Sequence, residues 1–269
     1  MKCIATIGTF DGVHKGHLYL LETLCREAGQ RGLEPVVIVI DKPHSQRLTT
    51  PEEQDALLKK YKIHIANYKL DDVRHLTALD FLNLLQRDYN VTTLLMGYDH
   101  RFGADQLDYK QLSAVSCQLA VISCPQGPEV SSSKIREALL AGDLAAANDM
   151  LGYDYTLSGS VVHGNAIGRT IGFPTANIQM DPCKLIPRSG VYAAITQNPS
   201  SLTALVNIGT NPTVGNDHVS VEAYMPDYQG PDFYGQYLTL QLVRRLRDEQ
   251  FFASLDQLKQ QIQSDLRAL

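Results

Sequence analysis

The pattern of short apolar runs changes near Gly152, and this change limits the chain to two differently built parts. Before Gly152, apolar runs of strand length alternate with stretches in which apolar residues recur at helical spacing. Strands that alternate with helices predict an α/β doubly wound parallel sheet. The runs are Cys3–Ile7, Pro35–Ile40, Ile63–Tyr68, Thr93–Met96 and Leu119–Ile122, and the helical stretches are Leu18–Ala28, Pro51–Lys60, Leu79–Arg87 and Asp105–Val115.

After Tyr153 the apolar segments follow one another, separated by Gly, Pro, Asn and Asp. This spacing predicts antiparallel strands in a small barrel or a sandwich. The segments are Tyr155–Val162, Gly190–Thr196, Thr203–Ile208, Val219–Met225 and Tyr237–Val243. A closing helix is predicted after Ser254, which fits an N-cap and precedes apolar residues at helical spacing. We therefore expect two domains, residues 1–152 and 153–269, with a connecting helix over Leu144–Leu151.

Composition narrows the choice of partners and compartment. The net charge is −5, and there is no basic stripe in either part, which argues against nucleic acid as the main partner. The 5 cysteines include no Cys-x-x-Cys pair, and their odd number favours reduced thiols over disulfides. The chain enters a strand directly and holds no apolar run of about 18 residues. We therefore expect a soluble cytoplasmic protein with no signal peptide and no membrane partner.

The stretch between Thr6 and Leu24 carries the first chemical signal. His14 and His17 bracket Gly16 where the first predicted strand passes into the first predicted helix. Such a junction exposes free backbone N–H groups and the positive end of a helix dipole, which favours a phosphate. Gly16 leaves room for an anion close to the backbone, and both imidazoles can donate to the same oxyanion. A lone histidine is more often structural, but this pair at this junction predicts a phosphate site.

Two further segments of the first part are expected at the same edge of the sheet. In Met96–Gly103, Asp99 follows the fourth predicted strand and fits either a simple turn or a contact to a ribose or base. In Ser131–Arg136 the serines fit a helix N-cap, and with Lys134 they also suit the β- and γ-phosphates of a nucleotide. Together these segments indicate nucleotidyl transfer, in which a bound phosphate attacks the α-phosphorus of ATP.

The second part holds its own candidate site. Glycines at every fourth position can form a flexible loop over a phosphate, although glycine spacing alone is a weak signal; they are Gly164, Gly168 and Gly172. The chain has no P-loop motif. Thr175 and Asn177 point the same way on an extended strand, where their oxygens either bind Mg²⁺ or satisfy backbone groups. Glu222 shares a strand face with Tyr224, and by itself such a carboxylate is usually solvent-facing.

These motifs together resemble the bacterial bifunctional riboflavin kinase/FAD synthetase family over essentially the whole chain. In the first part the resemblance rests on Gly8–His17, on the Gly-x-Asp-x-x-Phe-Gly loop and on the Ser-Ser-Ser-x-Ile-Arg segment. In the second part it rests on Gly-Phe-Pro-Thr-Ala-Asn at 172–177, on Asn207-Ile208-Gly209 and on the Val-Glu strand. The resemblance implies a nucleotidylyltransferase-like N-terminal domain and an antiparallel β-barrel C-terminal domain with a closing helix.

The resemblance also implies roles for single residues. His14 and His17 would be catalytic contacts to the ATP phosphates, and Glu222 would be the general base for the ribityl 5′-hydroxyl of riboflavin. Implied nucleotide-binding residues are Gly8, Phe10, Gly16, Asp99, Ser132, Ser133, Arg136, Gly164, Gly168, Gly172 and Thr175. Implied metal ligands are Thr175 and Asn177, and implied flavin-binding residues are Asn207, Arg244 and Arg247.

The activity implied by the resemblance is flavin cofactor synthesis. The barrel would phosphorylate riboflavin to FMN, and the first domain would adenylylate FMN to FAD and release pyrophosphate. Both steps would use ATP as co-substrate and Mg²⁺ as cofactor. Two alternatives stay open at this point: a riboflavin kinase whose first half keeps only the fold, and a regulatory protein that binds flavin or nucleotide without turnover.

Overall fold

The computed structural model describes residues 1–43, 45–97, 100–116, 119–164, 167–197, 201–210, 219–231 and 234–269. The chain forms two compact units, each with its own sheet. The first unit contains residues 1–44 and 51–131, and the second contains 45–50 and 132–269. Among the described residues, no helix combines the length and the apolar character that crossing a membrane requires.

The first unit is built on a five-stranded parallel sheet with the strand order β3-β2-β1-β4-β5. Its strands are β1 (Cys3–Gly8), β2 (Glu34–Asp41), β3 (His64–Lys69), β4 (Val91–Met96) and β5 (Ala120–Ser123). The strand order reverses between β1 and β4, and in such sheets ligands bind beyond the carboxyl ends of the strands at that reversal. The predicted doubly wound sheet is confirmed.

Helices cover both faces of this sheet: α1 (Lys15–Arg31), α2 (Pro51–Lys59), α3 (Leu70–Val73), α4 (Ala78–Tyr89) and α5 (Tyr109–Val115). Side chains alternate along β1, so that Ile4 joins the core that contains Leu21 of α1, while Ala5 joins the core that contains Phe81 of α4. Helix α5 begins later than Asp105, because Asp108 forms a capping box with Gln111.

The second unit is a closed six-stranded antiparallel barrel with the order β10-β7-β6-β11-β8-β9. Its strands are β6 (Tyr155–Val162), β7 (Ala176–Met180), β8 (Gly190–Thr196), β9 (Thr203–Thr210), β10 (Val219–Tyr224) and β11 (Tyr237–Arg247). Its helices are α6 (Ser132–Ala141), α7 (Leu144–Leu151), α8 (Ile167–Thr170) and α9 (Leu255–Leu266). The Ser254 side chain accepts from the Gln257 N–H at 3.3 Å, which confirms the predicted cap of the closing helix.

Candidate functional site

The loop between β1 and α1 is held in a costly backbone conformation. Phe10 and Val13 have φ angles of 47° and 37°, a region that side-chain-bearing residues, and β-branched ones above all, rarely adopt. Both side chains are fully buried, so packing holds the loop in this shape. Backbone strain of this kind collects at binding and catalytic sites. The Gln54 side chain supports the loop by donating to the Thr9 carbonyl at 2.7 Å.

Two histidines lie together at the start of α1. His14 is the N-cap, and its Nδ1 accepts from the His17 backbone N–H at 3.4 Å. The two imidazole rings stack with their centroids 3.7 Å apart, and the Phe10 ring lies 5.1 Å from that of His17. A Cβ at Gly16 would lie 3.2 Å from the His14 ring, and a Cβ at Gly8 would lie 3.2 Å from the Phe10 ring. Both glycines therefore allow close packing around the histidine pair.

Both imidazoles are neutral at pH 7. Burial lowers the pKa of His14 to about 4, and burial lowers the pKa of His17 well below its usual value, with a further decrease from the charge of His14. Because His14 Nδ1 accepts a hydrogen bond, its proton is on Nε2. His17 Nδ1 is buried without a hydrogen-bond partner in the described residues. The pair can therefore offer neutral N–H donors beside a helix N-terminus whose first turn contains no acidic residue.

The other residues predicted for nucleotide binding in the first half fall in different places. Ser132 and Ser133 are the first residues of α6, in the second unit, as the predicted helix start requires. The Arg136 Nε donates to the Gln46 carbonyl at 2.9 Å within the same unit. Asp99 lies outside the described residues.

In the barrel, three polar residues lie side by side on adjacent strands. Glu222 of β10 pairs with Asn177 of β7 on one side and with Asn207 of β9 on the other. Residues directly opposite one another in an antiparallel pair share a face of the sheet. The Thr175 hydroxyl donates to Glu222 Oε2 at 3.2 Å. The structure therefore brings together the predicted base, both predicted metal ligands and one predicted flavin-binding residue.

The predicted glycines of the barrel support this cluster through close contacts. A Cβ at Gly164 would lie 2.2 Å from Asn177 Nδ2, so this position must lack a side chain for the amide to keep its place. A Cβ at Gly168 would lie 2.3 Å from the Phe173 carbonyl oxygen. Gly172 has a φ of 88°, in the left-handed region that favours glycine. The segment that carries these glycines therefore packs closely against the residues around the start of β7.

Two clefts of the barrel meet at this cluster. The larger has a volume of about 330 Å³ and the smaller about 160 Å³, and Thr175 and Tyr224 line both. Glu222 and Asn207 line the larger cleft, whose remaining walls include the apolar residues Val191, Leu205, Phe252, Leu258 and Ile262. The smaller cleft is lined by Arg169 together with Tyr228 and Tyr234. The larger cleft suits an apolar ring system. The smaller cleft places the Arg169 side chain and two tyrosine rings near Thr175 and Tyr224, which line both clefts.

The predicted flavin-binding arginines differ in their surroundings. Arg247 lines the larger cleft, and its guanidinium donates three hydrogen bonds of 2.7–3.0 Å to the carboxylate of Asp265 on α9. Gln261 donates to the same carboxylate at 2.8 Å. Arg244 donates to the Ala268 carbonyl and is not among the described residues that line either cleft. Sequence reasoning missed Asp265, which fixes α9 and with it one wall of the larger cleft.

Comparison with known proteins also separates the chain into two parts, one for each of the two candidate sites. Residues 1–136 match the protein-family model described as FAD synthetase, and residues 151–269 match the model described as riboflavin kinase. A bifunctional riboflavin kinase/FMN adenylyltransferase of Escherichia coli K12 is 36% identical over 98% of this chain and 90% of its own length. The chain belongs to this bifunctional family. The resemblance inferred from the motifs is thereby confirmed.

Other relatives extend along the whole chain as well. The Pseudomonas fluorescens bifunctional riboflavin kinase/FMN adenylyltransferase is 34% identical over 99% of this chain and 91% of its own length. A crystal structure from Streptococcus pneumoniae, described as a macrolide-efflux protein, is 28% identical, covers 99% of this chain and 93% of its own, and gives a TM-score of 0.87. This likeness supports the fold of both units.

Proposed function

We propose that this bifunctional family member makes FAD from riboflavin in two ATP-dependent steps, one in each half of the chain. The barrel phosphorylates riboflavin to FMN, and the parallel-sheet half transfers the AMP moiety of a second ATP to FMN. The two family matches, which end at residue 136 and begin at residue 151, support a functional boundary near Gly152. The observation that carries the kinase assignment is the Thr175–Glu222 hydrogen bond where the two clefts meet.

In the kinase step, Glu222 takes the proton of the riboflavin 5′-hydroxyl. The oxygen then attacks the γ-phosphorus of ATP, the bond from that phosphorus to the β–γ bridging oxygen breaks, and ADP leaves. The flavin ring occupies the larger cleft, whose apolar walls suit it, with Asn207 and Arg247 beside it. ATP enters from the smaller cleft, where Arg169 faces its phosphates. The segment around Gly164, Gly168 and Gly172 covers the triphosphate, and Arg244 acts indirectly by holding the C-terminal residues.

The residues beside Glu222 fit a magnesium ion. The Thr175 hydroxyl and the Asn177 amide offer neutral oxygen ligands next to a carboxylate, and the lack of a side chain at Gly164 leaves room for the amide. Mg²⁺ in proteins is usually held by few side chains together with water and substrate phosphates. When bound, Mg²⁺ neutralises charge on the transferred phosphoryl group. Thr175 and Asn177 would hold it while Glu222 handles the proton.

In the adenylyl-transfer step, a phosphate oxygen of FMN attacks the α-phosphorus of ATP and pyrophosphate leaves. The N–H donors of His14 and His17 and the N-terminus of α1 stabilise the charge that develops on the phosphate oxygens. Gly8, Phe10 and Gly16 set the shape of this loop. The family resemblance assigns contacts with the nucleotide to Asp99, Ser132, Ser133 and Arg136. Before ATP binds, burial lowers the pKa of both histidines and so favours neutral imidazoles with N–H donors.

The setting of these reactions is proposed to be the cytoplasm, without nucleic-acid or membrane partners. The cysteines that the structure describes are free thiols, namely Cys3, Cys25, Cys124 and Cys183. Free thiols are typical of a reducing compartment, where ATP is also available.

Two variants separate the two activities. Glu222→Gln keeps the side-chain size but cannot accept the proton, so the kcat of riboflavin phosphorylation should fall by about 10²–10⁴-fold with little change in the KM for riboflavin. FAD formation from supplied FMN should continue in this variant. His17→Ala should show the reverse, with FAD formation reduced by about 10²–10³-fold and FMN formation retained. Equal losses of both activities in either variant would contradict the assignment, since they would indicate a folding defect.

A further inference from the structure

The larger cleft of the barrel carries an excess of negative charge. Its charged lining residues are Glu222, Arg247, Glu249 and Asp265. Arg247 and Asp265 form an ion pair at 2.7 Å, with side chains 17% and 6% exposed, so their charges cancel inside the wall. Among the described lining residues, Glu222 and Glu249 are left without a cationic partner. The mechanism uses Glu222 but gives no role to Glu249.

Glu249 lies on the cleft wall against Gly209. A Cβ at Gly209 would lie 2.0 Å from Glu249 Oε1, so the carboxylate can lie there only because residue 209 has no side chain. Gly209 pairs with Ser220, two residues before Glu222 on β10, and lies two residues after Asn207 on β9. The two carboxylates therefore occupy neighbouring positions on one wall.

In the part of the chain that the structure describes, Glu249 has no hydrogen bond or ion pair that would stabilise the fold. It is exposed and accepts no hydrogen bond within the part of the chain that the structure describes. By contrast Asp248, its neighbour in the chain, pairs with Arg245 at 2.6 Å. An exposed carboxylate in a ligand cleft acts mainly through its charge on whatever enters that cleft.

We infer that Glu249, together with Glu222, makes the flavin cleft select riboflavin over FMN and so promotes release of the product. This inference rests on the proposed kinase function of the barrel. Riboflavin carries no charge, whereas a phosphate monoester carries about −1.5 to −2 at pH 7. Glu249, and Glu222 once it has given the proton it took to solvent, therefore repel the product but leave the substrate unaffected, a form of discrimination by an unfavourable contact.

The inhibition constant of FMN in the kinase reaction tests this inference. Initial rates are measured on the full chain with isotopically labelled riboflavin, so that added unlabelled FMN competes at the kinase site without contributing to the signal. The charge at position 249 is varied stepwise with Glu249→Gln and Glu249→Lys. Asp256→Asn removes one exposed carboxylate from the first turn of α9, away from the described cleft lining, and serves as the matched control.

The inhibition constant of FMN should fall by about three- to tenfold in Glu249→Gln and further in Glu249→Lys. The KM for riboflavin should change less than about twofold, and Asp256→Asn should change neither value. The difference between wild type and Glu249→Gln should shrink at about 1 M salt, where the Debye length is about 3 Å. An unchanged inhibition constant in both Glu249 variants would overturn the inference. So would a parallel shift of the riboflavin KM, because that would indicate a contact with the shared flavin ring. A wild-type chain that forms no FMN would instead reject the proposed kinase function.

Discussion

The Arg247–Asp265 pair should hold α9 against the barrel, and Asp265→Asn tests this. The native carboxylate accepts three hydrogen bonds from the guanidinium of Arg247, whose side chain is only 17% exposed. Removing one partner of a buried ion pair costs about 3–5 kcal/mol, because the remaining charge stays buried and unpaired. Asparagine keeps one acceptor oxygen, so we expect the lower end of that range, about 3 kcal/mol, for the local stability of α9.

The Asp265→Asn substitution should also weaken riboflavin binding, because Leu258 and Ile262 of α9 line the larger cleft. We expect the KM for riboflavin to rise by about tenfold while kcat changes little. Amide hydrogen exchange within α9 is the suitable stability assay, since a chain with two compact units need not unfold in one step. Riboflavin kinetics on the same samples give the KM.

Asp55→Asn is the matched control for this experiment. Asp55 pairs with Lys59 at 2.6 Å on α2, but the two side chains are 46% and 69% exposed. Exposed pairs of this kind contribute about 0.3–0.5 kcal/mol, so this variant should change neither α9 exchange nor the riboflavin KM. If Asp265→Asn leaves both measurements as unchanged as the control does, the ion pair does not hold the cleft wall.

Two further predictions concern other parts of the chain. Gly164→Ala should raise the KM for Mg-ATP by about tenfold, because its Cβ would displace the Asn177 amide, whereas Gly29→Ala, which meets no atom within 4 Å, should leave the kinase kinetics unchanged. Burial lowers the pKa of His14 to about 4, so the folded state binds a proton at this residue less readily than the unfolded state does. The stability that the neutral His14 contributes is therefore present above pH 6.5 and is lost as the pH falls towards about 4. Between pH 7 and pH 5 the free energy of unfolding of the wild type should fall by about 2 kcal/mol more than that of His14→Asn, a variant that keeps a capping side chain. Amide hydrogen exchange in α1 measures this difference. Equal losses in the two proteins would contradict the burial of a neutral His14.

The sequence predicted the elements better than the contacts between them. The helix over Leu144–Leu151 follows the prediction to the residue, because its cap at Asp143 and its αL glycine at Gly152 are local signals. Strand β7 (Ala176–Met180) was expected only as an extended segment carrying Thr175 and Asn177, and its length and its pairing in the barrel were not predicted. The choice between barrel and sandwich depends on strand pairing over long distances, which a local pattern does not contain.

The candidate site shows the same limit. The histidine motif indicated an anion site, but the low pKa of the pair results from burial, which depends on tertiary packing. The placement of Glu222 between Asn177 and Asn207 is a consequence of strand register across β7, β10 and β9. Arg247 could be distinguished from its neighbouring arginines only through Asp265, eighteen positions away on another element.

The position of the phosphate label in the products tests the central claim most directly. The wild-type chain is incubated with riboflavin, Mg²⁺ and ATP labelled at either the γ- or the α-phosphate, and FMN and FAD are separated and counted. The account predicts that γ-label appears in both FMN and FAD, because FMN keeps the transferred phosphate when it is adenylylated, and that α-label appears in FAD alone. Label from γ-ATP in FMN with no α-label in FAD would contradict adenylylation in the first half of the chain. Absence of label from both flavins would contradict the account of both halves.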